Sequence, residues 1–173
     1  MMVGVISDSH DNISNVRKAL RVFSSKNVDA IIHLGDIVSP FTLKEVCSTG
    51  MKVYSVFGNN CGEKKLLLET AAKCGAVLSD PPLELELGSK EERRLLLLHG
   101  FGSRELTLKI VRIIAASGEY DAVLYGHTHL PHLEKMGKTL VLNPGEVLGY
   151  LTGKPSVALL DLDALDARIV NLD

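Results

Sequence analysis

The sequence predicts an α/β protein: a parallel sheet flanked by helices, followed by antiparallel hairpins. Three observations carry this. Short apolar runs alternate with amphipathic stretches along the 173 residues. In the first half their order is β-α-β-α-β-α, the pattern of a parallel sheet with helices on its faces. Towards the end, strand-like runs follow one another across turn residues such as Gly137-Lys138, as hairpins do.

Taken in order, Val3 to Ile6 reads as a buried strand. Asn12 can cap a helix running to about Ser25, with Val16, Leu20 and Phe23 on one face. Ala30 to Leu34 is a second buried strand. Ser39 as a cap and Pro40 in the first helical position open a helix to about Ser48, with Gly50 as its stop. Val53 to Phe57 is a third strand, and Lys64 to Lys73 a short helix closed by Gly75. Leu83 to Leu87 alternates apolar and acidic residues, as in a strand with one wet face, and the acidic side chains from Glu84 to Glu92 read as solvated. Arg94 to Leu98 is a buried run. Ser103 can cap a helix to Ser117, with Leu106, Ile110, Ile113 and Ile114 inward and Gly118 as its stop. Ala122 to Tyr125 is another buried strand. His132 to Lys135, Thr139 to Leu142, Ser156 to Leu162 and Ala167 to Leu172 form the hairpins.

Length and composition bound the function. Residues 1–173 make one domain, long enough to bury a core without disulfides or a structural metal. Hydrophobic residues at 46% and charged residues at 23% exclude a disordered chain or a disulfide scaffold. A net charge of −2 supplies no global field for nucleic acid or anionic lipid, and no basic stripe is interleaved with aromatics. Cys47, Cys61 and Cys74 form an odd, sparse set that fits free thiols in a reducing compartment. The apolar start is too short for a signal peptide, and no run approaches the roughly 18 apolar residues of a membrane span. A cytoplasmic location is expected. Homo-oligomerisation stays open.

The informative pattern is where the polar residues fall. Five predicted strands end in residues that bind metals: Asp8-Ser9-His10, Gly35-Asp36, Gly58-Asn59-Asn60, His99-Gly100 and Gly126-His127-Thr128-His129. In an α/β sheet, ligands bind beyond the carboxyl ends of the strands, so these clusters are expected to converge. Aspartate and imidazole suit Mn²⁺, Fe and Zn²⁺, and the lack of thiolates argues against a structural zinc. Residues at i and i+2, as in Asp8/His10 and His127/His129, can reach one centre. Seven ligands are too many for one tetrahedral ion, whereas two ions about 3.5–4 Å apart, bridged by a carboxylate, would use them well. Gly35, Gly58, Gly100 and Gly126 would let the backbone turn sharply and approach closely.

These motifs, in this order, resemble the signature of the calcineurin-like metallophosphoesterases: D-x-H, G-D, G-N-x, H and G-H-x-H. The resemblance spans residues 3 to about 146, and the length is similar to that of the small phosphodiesterases of this superfamily. It implies a four-layer α/β/β/α sandwich. It further implies a first ion on Asp8, His10, Asp36 and His129, and a second on Asp36, Asn59, His99 and His127, with Asp36 as the bridge. The implied reaction is hydrolysis of a small phosphate ester by a hydroxide bridging two divalent ions, with Mn²⁺ expected and Zn²⁺, Ni²⁺ or Fe as alternatives. His10 would orient the hydroxide or the phosphate, and Asn59, Asn60 and His99 would contact substrate. Many relatives carry His where this chain has Asn60, which can hydrogen-bond a phosphoryl oxygen but cannot supply a proton at neutral pH. The competing reading is a non-catalytic interaction scaffold of the same fold, as in the retromer complex.

Plainer readings cover the remaining candidates. Asn12 is a helix cap and Asp11 a solvated loop residue. His33 is a satisfied core histidine within hydrogen-bond reach of a ligand, and His132 lies on the surface. Cys61 is an inert thiol beside the site. Asn143-Pro144-Gly145 is a turn that the resemblance places near the site. Glu146 stands where relatives often have Ser, and no role is assigned to it.

Overall fold

A computed structural model describes residues 1–172. Within them lie eleven strands and four helices: β1 (Met2–Ile6), α1 (Ile13–Ser25), β2 (Ala30–His33), α2 (Pro40–Cys47), β3 (Lys52–Val56), α3 (Lys64–Cys74), β4 (Val77–Ser79), β5 (Leu83–Leu87), β6 (Arg93–Leu97), α4 (Arg104–Ser117), β7 (Ala122–Leu124), β8 (Pro131–Met136), β9 (Thr139–Pro144), β10 (Ser156–Asp161) and β11 (Asp166–Asn171). One sheet has the order β11-β10-β1-β2-β3-β4 and the other β5-β6-β7-β9-β8. β1 to β4 are mutually parallel, as are β6, β7 and β9, and β10 runs antiparallel to β1.

Strand alternation explains the layers. Val3, Val5, Ile32 and Leu34 of the first sheet meet Leu95, Leu97, Leu124 and Leu142 of the second. Their neighbours point outward: Ile6 and Ile31 pack under Val16, Leu20 and Phe23 of α1, while Leu96 and Val123 pack under Val111 and Ala115 of α4. This is the four-layer α/β/β/α sandwich. At Gly4 a Cβ would stand about 2.7 Å from the ring of Phe23, so the absent side chain lets α1 close on β1.

The helix starts follow their sequence signals in part. Asn12 Oδ1 accepts the Asn15 N–H and Ser103 Oγ the Leu106 N–H, as N-caps do. Ser39 makes no such bond; Asp11 Oδ1 instead accepts from the Ser39 N–H at 3.2 Å and the Thr42 hydroxyl at 2.6 Å. Asp11 is therefore an anchor for α2 rather than a solvated residue.

Two further expectations are corrected, and two features of the sheets go beyond the sequence reading. The buried stripe of α4 is Thr107, Val111 and Ala115, with Leu106 and Ile113 exposed at 47% and 62%. Small Ala115 lets the helix approach the sheet, and Thr107 accepts the Phe101 N–H. The short strand β4 went unread in the sequence. The last hairpin, β10–β11, is antiparallel as expected and joins the first sheet beside β1. Cys47 and Cys74 pair as a disulfide between α2 and α3, with Cα atoms 6.2 Å apart, against the expectation of free thiols. Among the described residues no helix is long and apolar enough to cross a membrane.

Candidate metal centre

The parallel strands of both sheets deliver their carboxyl ends to one rim. The loops after β1 and β2 lie side by side: the Asp8 N–H donates to Gly35 O at 3.1 Å and the His10 N–H to Asp36 O at 3.0 Å. The second sheet is tied to them across the core. The His127 N–H donates to Asp8 Oδ2 at 3.0 Å, and His99 Nδ1–H to the Leu34 carbonyl at 2.7 Å. Gly126 and Gly58 permit this closeness, because a Cβ there would collide with Ser7 and Asp36 respectively. Of the four glycines noted in the sequence, Gly35 alone has a positive φ, at 100°. The left-handed conformations fall instead on Asp8, His10, Asp36, His127 and His129, with φ between 41° and 67°. Such strain is held by surrounding structure and clusters at functional sites.

All seven residues singled out by the motifs come together, in two overlapping groups. In the first, His129 Nε2 lies 3.4 Å from Asp8 Oδ1, and His10 Nε2 lies 3.4 Å from Asp36 Oδ2. In the second, Asn59 Oδ1 lies 3.0 Å from His99 Nε2 and 2.9 Å from His127 Nδ1, and His99 Nε2 lies 3.5 Å from Asp36 Oδ1. Asp36 turns one oxygen to each group.

The hydrogen bonds assign the histidine tautomers. His99 donates its Nδ1–H to Leu34 O, His127 its Nε2–H to Gly102 O at 2.6 Å, and His129 its Nδ1–H to Glu146 Oε2 at 2.7 Å. Each ring therefore aims a bare lone pair at an oxygen that is also an acceptor. Asp8 Oδ1 and His10 Nε2 are buried and have no hydrogen-bond partner. Lone pairs facing lone pairs at these separations, with buried orphans among them, form a donor set suited to divalent cations.

Burial and neighbours push the charges apart. Burial raises the Asp8 carboxyl above its ordinary range, partly opposed by His99 and His129. Burial would also raise Asp36, but His99 and the two Asn60 hydrogen bonds outweigh it and hold that carboxyl far below the usual range. Burial would lower His99; the neighbouring carboxylates of Asp36 and Asp8 raise it instead. Burial pushes His33 down to about 3.

The remaining candidates fall outside the donor groups. Asn60 is turned onto Asp36, donating its amide to Oδ2 at 2.8 Å and its main-chain N–H to Oδ1 at 2.7 Å. His33 is fully buried, accepts the Gly35 N–H at Nδ1 and meets Ser9 Oγ at Nε2, 3.0 Å away. His132 is half-buried rather than superficial, held between the Tyr125 hydroxyl at 2.8 Å and Glu134 at 3.1 Å. Cys61 Sγ accepts the Gly58 N–H and so closes the Asn59 loop.

Two residues next to the site were undervalued in the sequence. Asn143, next to last in β9, donates to Gly126 O and Thr128 Oγ1, bracing the His127–His129 loop. Glu146 is fully buried against His129. The only signal for Glu146 was an acidic residue directly after Asn143-Pro144-Gly145. Beside the second group a cleft of about 430 Å³ opens between His99, His127, Lys64 and Asp80.

The profile of the calcineurin-like phosphoesterase superfamily domain matches residues 1–165. Phosphodiesterase MJ0936 of Methanocaldococcus jannaschii is 36% identical over 174 residues, covering 100% of both chains. Phosphodiesterase YfcE of Escherichia coli is 29% identical and covers 95% of this chain and 90% of its own. Among solved structures, that of an archaeal phosphodiesterase superposes with a TM-score of 0.88 at 34% identity, over 99% of this chain and 100% of that one. Vps29 from Chaetomium thermophilum shares the fold, with a TM-score of 0.71 at 17% identity over 99% of this chain and 95% of that one.

Proposed function

The chain belongs to the calcineurin-like phosphoesterase superfamily, and from that premise we propose that it is a phosphodiesterase of small phosphate esters working with two divalent ions. The observation that carries this reading is the pair of acceptor-lined groups sharing Asp36, with Asp8 Oδ1 and His10 Nε2 buried and unpartnered. Asp8, His10, Asp36 and His129 would hold one ion, and Asp36, Asn59, His99 and His127 the other. When bound, the ions supply Lewis acidity towards the phosphoryl oxygens and a water activated near neutral pH.

The chain's own residues set the rest. Asp8, Asp36 and buried Glu146 carry three negative charges, fewer than the four positive charges of two such ions, so the centre attracts an anionic ester. His10 is aimed into the space beside Asp36 and orients the phosphate or the attacking water. Asn59 and His99 face the cleft and position the ester. Asn60 holds Asp36 and has no acidic proton to give, so the leaving group must depart without a proton from that position.

Metal analysis of the purified protein, with turnover of bis(p-nitrophenyl) phosphate in Mn²⁺, tests the proposal. Two bound ions per chain and Mn²⁺-dependent release of nitrophenol are expected. No uptake and no turnover across Mn²⁺, Ni²⁺ and Zn²⁺ would overturn it in favour of a scaffold, the reading that the likeness to the Vps29 fold keeps in play.

A further inference from the structure

The two donor groups differ in what stands behind their histidines. Glu146 is 0% exposed, and its carboxylate accepts from three donors: His129 Nδ1–H, the Thr152 N–H and the Thr152 hydroxyl, each at 2.7 Å. Its segment is fixed on both sides. Gly145, at φ 83°, donates its N–H to Asn143 Oδ1, while the Val147 and Leu148 N–H groups donate to Ser7 O and Asp8 O at 3.0 Å. The carboxylate therefore cannot swing away from His129. In the second group the histidines lean on neutral carbonyls, His99 on Leu34 O and His127 on Gly102 O.

The formal charges differ in the same sense. The first group owns Asp8 and shares Asp36, with Glu146 directly behind. The second shares Asp36, has Asp8 near only its His99 and otherwise offers a neutral amide oxygen from Asn59, and no carboxylate stands behind its histidines. A carboxylate hydrogen-bonded to the far nitrogen of an imidazole fixes the ring and strengthens it as a donor.

We propose that Glu146, acting through His129, is a positioning residue that makes the Asp8–His10–Asp36–His129 group the tighter cation site, so that the two ions bind in order. The proposal rests on the two-ion reading given above.

Titration of the chelator-treated protein with Mn²⁺ in a calorimeter tests it. Two steps are expected, the first at least about tenfold tighter than the second. Glu146→Gln, which keeps the shape but removes the charge, should weaken the first step by roughly 10–100-fold and leave the second nearly unmoved. His127→Ala should do the reverse, removing the weaker step and sparing the tighter one. This second variant decides the matter if Glu146→Gln does not fold. Two steps of equal affinity, an unmoved first step in Glu146→Gln, or loss of the tight step in His127→Ala would each overturn the ordered binding while leaving the two-ion reading in place. Uptake of no Mn²⁺ at all would overturn both.

Discussion

Asn60 grips Asp36 at both ends, its main-chain N–H on Oδ1 at 2.7 Å and its side-chain amide on Oδ2 at 2.8 Å. Asn60 therefore serves to hold the carboxylate that faces both groups. The rate should consequently depend steeply on leaving-group pKa across a series of diesters, because no proton comes from this position. Asn60→His should flatten that dependence. A flat plot for the unaltered protein would refute the idea.

Removing the shared charge should affect both ions together. Asp36→Asn keeps the shape but removes the one carboxylate that turns an oxygen to each group. We expect metal content below one ion per chain and a loss of turnover of about a hundredfold or more. Circular dichroism checks that the fold persists, and metal content that stays at two would contradict the bridging role.

Metal should also stabilise the fold. Without an ion the rim holds facing lone pairs at 2.9–3.5 Å. An ion that binds only the folded chain adds about 4 kcal/mol at a thousandfold excess over its Kd. The Tm in Mn²⁺ should therefore exceed that in chelator by several degrees. Equal values would count against tight binding at this rim.

His33 sets a pH dependence of its own. Burial holds it at about 3 when folded, against an ordinary value of 6.5. Between these values the unfolded chain binds a proton that the folded chain does not, so stability falls as pH drops. The slope from this residue is about 1.4 kcal/mol per pH unit below roughly 6.5. His33→Gln can still accept the Gly35 N–H and face Ser9, but does not titrate. Urea unfolding in chelator from pH 7 to pH 4 should show a shallower slope for the variant. Parallel slopes would remove His33 as the cause.

The legibility of the sequence followed the range of the interactions. Strands such as Val3–Ile6 and helix starts such as Asn12 could be read because their signals lie within a few neighbouring residues. The inward face of α4 could not, because Leu106 and Ile113 fit a helical stripe as well as Val111 does; the choice depended on the close approach that Ala115 allows to the sheet. Three-residue β4 was too short to carry a period. The Cys47–Cys74 pair joins the ends of two helices that only the packing of α2 on α3 brings together.

The sequence by itself determined the family signature, the α/β class and the identity of the seven rim residues, since strand ends in a parallel sheet must share one edge. The tertiary structure alone decided how each side chain is used. Asn60 turned out to brace Asp36, Asp11 to anchor α2, and Glu146 to stand buried behind His129. The physical reason is that a strand's end places a residue on a rim, but a side chain's partner comes from whatever the opposing sheet and the returning loop bring to it. For Glu146 and His129, seventeen positions apart, that partner exists only once β9 has paired with β7 and the chain has turned back across the site.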